Sequence, residues 1–110
     1  MTAVVDIAKV ARGLAKPWDP RDLVRANDTV VRIAKIEGAF AWHQHDEDEL
    51  FLCWEGMFRI EVDGRDPIEL SPGQLFVVPR LTRHRPVAER AAVTLLIERP
   101  ETLQYGNPAR

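Results

Sequence analysis

The sequence predicts an all-β domain, a jelly-roll or an up-and-down barrel. After Asn27, short runs rich in β-branched and aromatic residues recur at intervals of about ten residues. Turn residues separate these runs, and no helical pattern comes between them. An antiparallel sheet that curls into a jelly roll or barrel leaves few exposed edges. The runs are TVVRIAKI, FAWHQH, LFLCW, FRIEV, PIEL, LFVVP and VTLLIE.

The part of the chain before these runs has a different pattern. Between residues 4 and 15 apolar residues recur at helical spacing, which predicts a short helix that ends before Pro17. The stretch WDPRDLVRAND is compatible with a helical turn or with a bend before an edge strand. We therefore expect residues 1–28 to form a helical or extended segment that packs on the barrel or at a dimer interface, and residues 29–110 to form the barrel.

Two connections carry specific expectations. Asp63-Gly64 predicts a two-residue type I′ hairpin, because both central positions of that turn need positive φ. The arginine-rich segment around His84 is predicted as a loop.

Composition excludes several classes of protein. The 110 residues are 45% apolar and 29% charged, typical of one globular domain, and the net charge of -2 argues against a nucleic-acid-binding surface. The N-terminus has no continuous apolar stretch, so it predicts neither a signal peptide nor a membrane anchor. The single cysteine, Cys53, excludes an intrachain disulfide and suits a reducing compartment, so we expect a cytoplasmic protein.

The segment WHQHDEDELF raises the question of a metal site. On a strand, residues two apart point to the same side, so His43 and His45 would direct both imidazoles to one side of the sheet. Glu49 follows after a possible turn, and the one further histidine of the chain, His84, comes after the distant run LFVVP. Three imidazoles and a carboxylate suit a divalent transition metal such as Zn, Mn, Fe or Ni. Asp48 is the alternative to Glu49, because a shift of one residue exchanges the two faces of a strand.

These residues resemble the two motifs of the cupin family. The segment GAFAWHQHDEDELFLCWEG, residues 38–56, is similar to the first motif, and GQLFVVPRLTRHRPVA, residues 73–88, is similar to the second. The 16 residues between them are typical of small single-domain bacterial cupins. Leu81 stands where the second motif prefers glycine, and Ala88 replaces its terminal asparagine. The resemblance implies a double-stranded β-helix (jelly-roll) barrel in which His43, His45, Glu49 and His84 hold the metal.

Other charged residues near the motifs allow two interpretations each. The acidic run 46–48 is expected to be a solvated loop. The arginines around His84 either hold a substrate carboxylate or phosphate, or form salt bridges with that acidic loop. These arginines are Arg80, Arg83 and Arg85.

Aromatic residues suggest both a pocket and an interface. Trp42 and Trp54 should lie on the opposite side of their strands from the ligands, either under the N-terminal segment or at a homodimer interface, which we favour. Phe40, Phe51 and Phe76 are expected in the core or in the pocket wall.

The resemblance implies a metal-dependent isomerase, dioxygenase or decarboxylase acting on a small polar molecule, of the kind described as mannose-6-phosphate-isomerase-like. No separate acid or base stands out in the sequence, since no histidine remains and Glu55 and Glu61 are the candidates left. The alternatives are a non-catalytic small-molecule binding or sensing module and a structural dimer with a vestigial site. Neither nucleic acid nor a membrane is expected as a partner.

Overall fold

The computed structural model describes residues 3–108 and contains one short helix and seven strands in that range. The elements in chain order are α1 (Ile7–Arg12), β1 (Arg21–Ala26), β2 (Thr29–Ala39), β3 (Glu49–Glu55), β4 (Phe58–Val62), β5 (Ile68–Leu70), β6 (Leu75–Val78) and β7 (His84–Glu98). No helix in the described range is long and apolar enough to span a bilayer. The prediction of an antiparallel, nearly all-β domain is confirmed.

The N-terminal helix is shorter than the apolar pattern indicated. Asp6 caps α1 by accepting a hydrogen bond from the backbone N of Lys9, and the helix ends at Gly13. The ambiguous stretch that follows forms β1, an edge strand antiparallel to β2.

All seven strands belong to one antiparallel sheet, and β7 is its central strand. The main order is β1-β2-β7-β3-β6. The first part of β7 also pairs with β4, and its last part pairs with β3. Residues 89–91 between these parts are exposed, and the β2–β7 register shifts between Ile36 and Gly38, where Gly38 has φ +81°. The irregularity lets one long strand contribute to both ends of a curled sheet, as the jelly-roll prediction requires.

Three local predictions were wrong. The run FAWHQH is not a strand, since within it His43 alone forms an isolated bridge, to His84. The predicted loop around His84 is the beginning of β7, because pairing with β4 extends this strand far beyond VTLLIE. The β4–β5 connection spans residues 63–67, and only Gly64 of its Asp63-Gly64 pair has positive φ, so it is not a type I′ hairpin.

The two faces of the sheet are both apolar but are covered differently. The inner face encloses the main core, which includes Ile36, Phe51, Cys53 and Ile60. The outer face carries a second cluster around Ile33, which is covered by Ala11 of α1 and by Leu14 just after the helix. The polar residues described below lie at one end of the inner face.

Candidate metal centre

Four side chains from two distant segments converge at one end of the sheet. Their potential ligand atoms all lie within 4.8 Å of one another, and all four residues are at most 9% exposed. The four are His43, His45, Glu49 and His84. The structure therefore brings together every residue that the sequence predicted for the metal site.

Backbone pairing places the histidines. His43 and His84 exchange backbone hydrogen bonds of 3.0 and 2.9 Å, so this bridge holds the first segment against the start of β7. The ring centroid of His43 lies 4.6 Å from that of His45 and 4.4 Å from that of His84. The His-x-His pair thus points to one side although its segment is not a regular strand.

Hydrogen bonds to the backbone orient two of the rings. The Nδ1 atoms of His43 and His84 lie 2.8 Å from the carbonyl oxygens of Ala41 and Thr82. An Nδ1–H donated to a carbonyl leaves Nε2 unprotonated, which is the form of imidazole that binds metals. Burial lowers the pKa of His43 to about 4, so this ring is neutral at physiological pH.

Glu49 lies among the three rings. Its Oε1 is 3.2 Å from Nε2 of His84 and 3.4 Å from Nε2 of His45. Burial by itself would raise the pKa of Glu49, but the contacts with His45 and His84 outweigh it, so the pKa is well below its ordinary value. Asp48, the alternative ligand, is exposed and accepts a hydrogen bond from the backbone N of Arg80.

The donor set fits a divalent transition metal. His45 is only 2% exposed, and neither of its buried ring nitrogens makes a hydrogen bond among the described residues, although Nε2 lies 3.4 Å from Oε1 of Glu49. Leaving buried polar atoms unpaired costs about 1–3 kcal/mol each, and a metal ion would satisfy Nε2. Nitrogen and carboxylate donors in one cluster are the ligands that zinc, iron, manganese and nickel accept.

A cavity of about 470 Å³ opens beside this cluster, and His43 and Glu49 form part of its wall. Phe40 and Phe51 line it as the sequence suggested, whereas Phe76 packs against the core. The C-terminal residues 100–104 close one side.

The lining residues that the sequence analysis missed include Trp18, Arg32 and Glu98. Arg32 and Glu98 form an ion pair of 2.6 Å with side chains that are 14% and 4% exposed. Burial, together with the nearby charge of Glu49, raises the pKa of Glu98 in spite of Arg32. The alternation of side chains along β2 could have indicated that Arg32 faces the interior, because it lies on the same face as Val30 and Ala34, which are buried.

The predicted arginine loop and candidate acids do not line this cavity. Arg80 contacts the acidic loop through hydrogen bonds from its backbone N to the Asp48 side chain and from its side chain to the Asp46 carbonyl oxygen, which are not the predicted salt bridges. Arg83 and Arg85 lie over the ring of Trp42 at 5.2 and 4.9 Å. Glu61 pairs with Arg59 and Arg85, and Glu55 is exposed.

Comparison with known proteins agrees with this fold. The chain is 27% identical over 99 residues to the uncharacterized protein YdbB of Bacillus subtilis (strain 168), covering 89% of this chain and 88% of that protein. A cupin-2 domain containing protein from Shewanella frigidimarina NCIMB 400 has a TM-score of 0.83 and 31% identity, covering 87% of this chain and 94% of that one. Protein NMB1881 from Neisseria meningitidis has a TM-score of 0.81 and 22% identity, covering 88% and 99% of the two chains, and shows the fold alone.

The family comparison covers most of the sheet and all four clustered residues. The description "Cupin domain" matches residues 29–98, which include both motif segments. The chain therefore belongs to the cupin domain family.

Proposed function

We propose that this cupin is a metal-dependent enzyme that acts on a small polar molecule bound in the cavity beside His43 and Glu49. The observation that carries the proposal is the convergence of three imidazoles and one carboxylate, buried and oriented, at the wall of a cavity large enough for a small molecule. The bound metal is part of the proposal. So is the reaction, which the family resemblance limits to the isomerase, dioxygenase or decarboxylase type.

His43, His45, Glu49 and His84 would hold the ion. When bound, a divalent metal supplies Lewis-acid polarisation of a substrate oxygen, and a redox-active one also supplies electron transfer. The chain's own residues exclude water and orient the ligand, since Phe40 and Phe51 form apolar walls next to the cluster. Glu98 is the buried cavity carboxyl outside the four, and we assign proton transfer to it.

Metal content tests the site. Protein purified without added metal is expected to carry about one equivalent of a first-row transition metal, because one complete ligand set is present. The variants His84→Ala and Glu49→Gln should lose most of it. Glu61→Gln, which alters a half-buried carboxyl group outside the cluster, should retain it. If unmutated protein reconstituted with several metals binds none stoichiometrically, the proposal is wrong.

A non-catalytic binding or sensing module is the second candidate. The observation that favours it is that the three histidines of the chain are all in the cluster, which leaves no histidine as a general base. Tight ligand binding by metal-loaded protein without product formation would support the module. Turnover that Glu98→Gln abolishes while metal content is unchanged would support the enzyme.

We also propose that the chain forms a homodimer through the outer face of the sheet. One apolar row crosses five strands in register on this face, and α1 does not pack on it. The row consists of Val77, Leu50, Ile97, Val31 and Val24. With strands about 4.8 Å apart it extends over about 20 Å, and an uncharged row is self-complementary under two-fold symmetry.

Sedimentation velocity tests the dimer. Val24 and Val77 are 41% and 43% exposed, so a Val24→Lys/Val77→Lys variant is expected to fold and to sediment as a monomer. Met57→Lys, at an apolar residue that is 59% exposed elsewhere on the surface, should remain dimeric. A monomeric unmutated protein at micromolar concentration would refute this arrangement.

A further inference from the structure

We infer that the ligand of this cavity carries no anionic group away from the metal cluster: it is an uncharged or cationic organic molecule. The inference rests on the proposed function, because it assumes that the cavity beside the four clustered residues is the ligand site. It limits the class of substrate by charge and argues against a phosphorylated or polycarboxylate substrate.

Carboxyl groups dominate the charged wall of the cavity. Asp22, Glu49, Glu98 and Glu101 line it, whereas Arg32 is the one lysine or arginine among the described residues of the wall. A divalent metal would offset this excess near Glu49 without producing a separate positive subsite. An anionic group that extends into the cavity would therefore face acidic side chains.

Arg32 cannot serve as a free anion-binding group, because its guanidinium is already occupied. Its Nε donates to Asp22 over 2.9 Å, and Nη1 donates to Glu98 over 2.6 Å. The same Nη1 lies 3.2 Å from the carbonyl oxygen of Thr102, and Nη2 donates to the carbonyl oxygen of Pro100 over 2.7 Å. These bonds use four of the five N–H groups of the guanidinium, so a phosphate or carboxylate could gain a bidentate contact only by displacing a carboxylate or a carbonyl group.

The arginines nearest in sequence to His84 do not change this balance. Arg80 donates to the acidic loop, and Arg83 and Arg85 lie over Trp42. None of the three is part of the cavity wall.

Aromatic rings form another part of the cavity wall. Trp18 and Phe40 line the cavity with ring centroids 4.8 Å apart. Trp18 has a φ of 61°, rare for a bulky residue, and is held by hydrogen bonds from its backbone N to Lys35 and from its Nε1 to Glu37. Gln104 fixes it further by donating to the Trp18 carbonyl oxygen. A rigid aromatic wall next to carboxyl groups accommodates carbon faces and cations, but gives no hydrogen-bond donors to an anion.

Collisional quenching measures this selectivity without knowledge of the substrate. The chain has three tryptophans, so a Trp42→Phe/Trp54→Phe protein reports on Trp18 alone, and a Trp18→Phe/Trp42→Phe protein reports on the surface residue Trp54. Both would be loaded with zinc and quenched with iodide and with acrylamide. We expect the iodide-to-acrylamide ratio of quenching constants to be about threefold lower for Trp18 than for Trp54, the effect of a local potential of about one kT.

Charge variants attribute the effect to the cavity. Glu101→Gln in the Trp18-only protein should raise the iodide ratio, while Glu69→Gln, at an exposed acid outside the cavity, should not. Inorganic phosphate should leave the Tm of the zinc-loaded protein unchanged. Equal iodide ratios for Trp18 and Trp54, or a phosphate-dependent rise in Tm that Arg32→Met removes, would overturn the inference. The zinc content of the same samples is measured as well. It distinguishes failure of this inference from failure of the proposed metal site.

Discussion

Gly106 lets the C-terminal segment approach the segment that carries His43 and His45, and its replacement by alanine tests that contact. The residue has φ +82°, which costs an L-amino acid about 1 kcal/mol. An added Cβ would overlap the carbonyl oxygen of Gln44 and lie 3.0 Å from Cβ of His43. Because Gln44 stands between two proposed ligands, the consequence reaches the metal centre.

The loss of unfolding free energy in Gly106→Ala can be worked out from the contacts that must separate. The backbone N of Asn107 donates to Gln44 O over 2.8 Å, and the Asn107 side chain accepts from Asp46 N over 3.0 Å. Losing two hydrogen bonds at about 1 kcal/mol each, in addition to the backbone strain, gives about 3 kcal/mol for Gly106→Ala. The effect of alanine on the unfolded chain is common to any glycine replacement and cancels against a matched control.

Gly64→Ala is that control. Gly64 has φ +80°, but an added Cβ would meet nothing within 4 Å, so this variant should lose only about 1 kcal/mol. Urea denaturation of the two variants and of unmutated protein measures the difference. Limited proteolysis should also cleave the C-terminal segment faster in Gly106→Ala. Equal destabilisation of both variants would refute the packing of the tail on Gln44.

Three further predictions concern pH, strain and charge. The unfolding free energy of metal-stripped protein should fall by up to about 3 kcal/mol as pH falls from 6.5 to about 4, because His43 becomes protonated in the unfolded state and not in the native state. This contribution to stability is fully present above that pH range. Urea denaturation of His43→Gln at several pH values should show an unfolding free energy that depends less on pH. Leu81→Gly should leave the Tm unchanged or raise it, since Leu81 has φ 64° where the family motif prefers glycine, whereas Leu75→Gly in an exposed strand position should lower it. Arg32→Met should cost about 3 kcal/mol in urea denaturation by leaving the buried Glu98 carboxyl and the carbonyl oxygens of Pro100 and Thr102 without their donor, and a loss below about 1 kcal/mol would contradict the importance of these hydrogen bonds.

The identity of the clustered residues was accessible from the sequence, whereas the cavity was not. The spacing of His43 and His45 and the motif around His84 depend on local chain geometry, which short-range patterns describe. Arg32, Glu98 and Trp18 are brought to the cavity by β2, the end of β7 and a segment before β1, which are far apart in the chain. Their roles depend on long-range pairing that has no local signature.

Local errors have the same origin. FAWHQH has strand-like composition, yet only His43 finds a pairing partner, so composition alone could not decide its structure. The segment at His84 resembles a loop in composition but becomes strand because β4 pairs with it.

By itself, the sequence determined the nearly all-β class, because strand patterns are local properties of the chain, and the four residues that meet at the centre, because their spacing resembles the two motifs. The tertiary structure decided which charges face the cavity. Arg32 donates to Asp22 and Glu98 rather than being free, and the arginines near His84 lie outside the cavity, because partners distant in the chain compete for each guanidinium and burial favours the pairs that satisfy most donors.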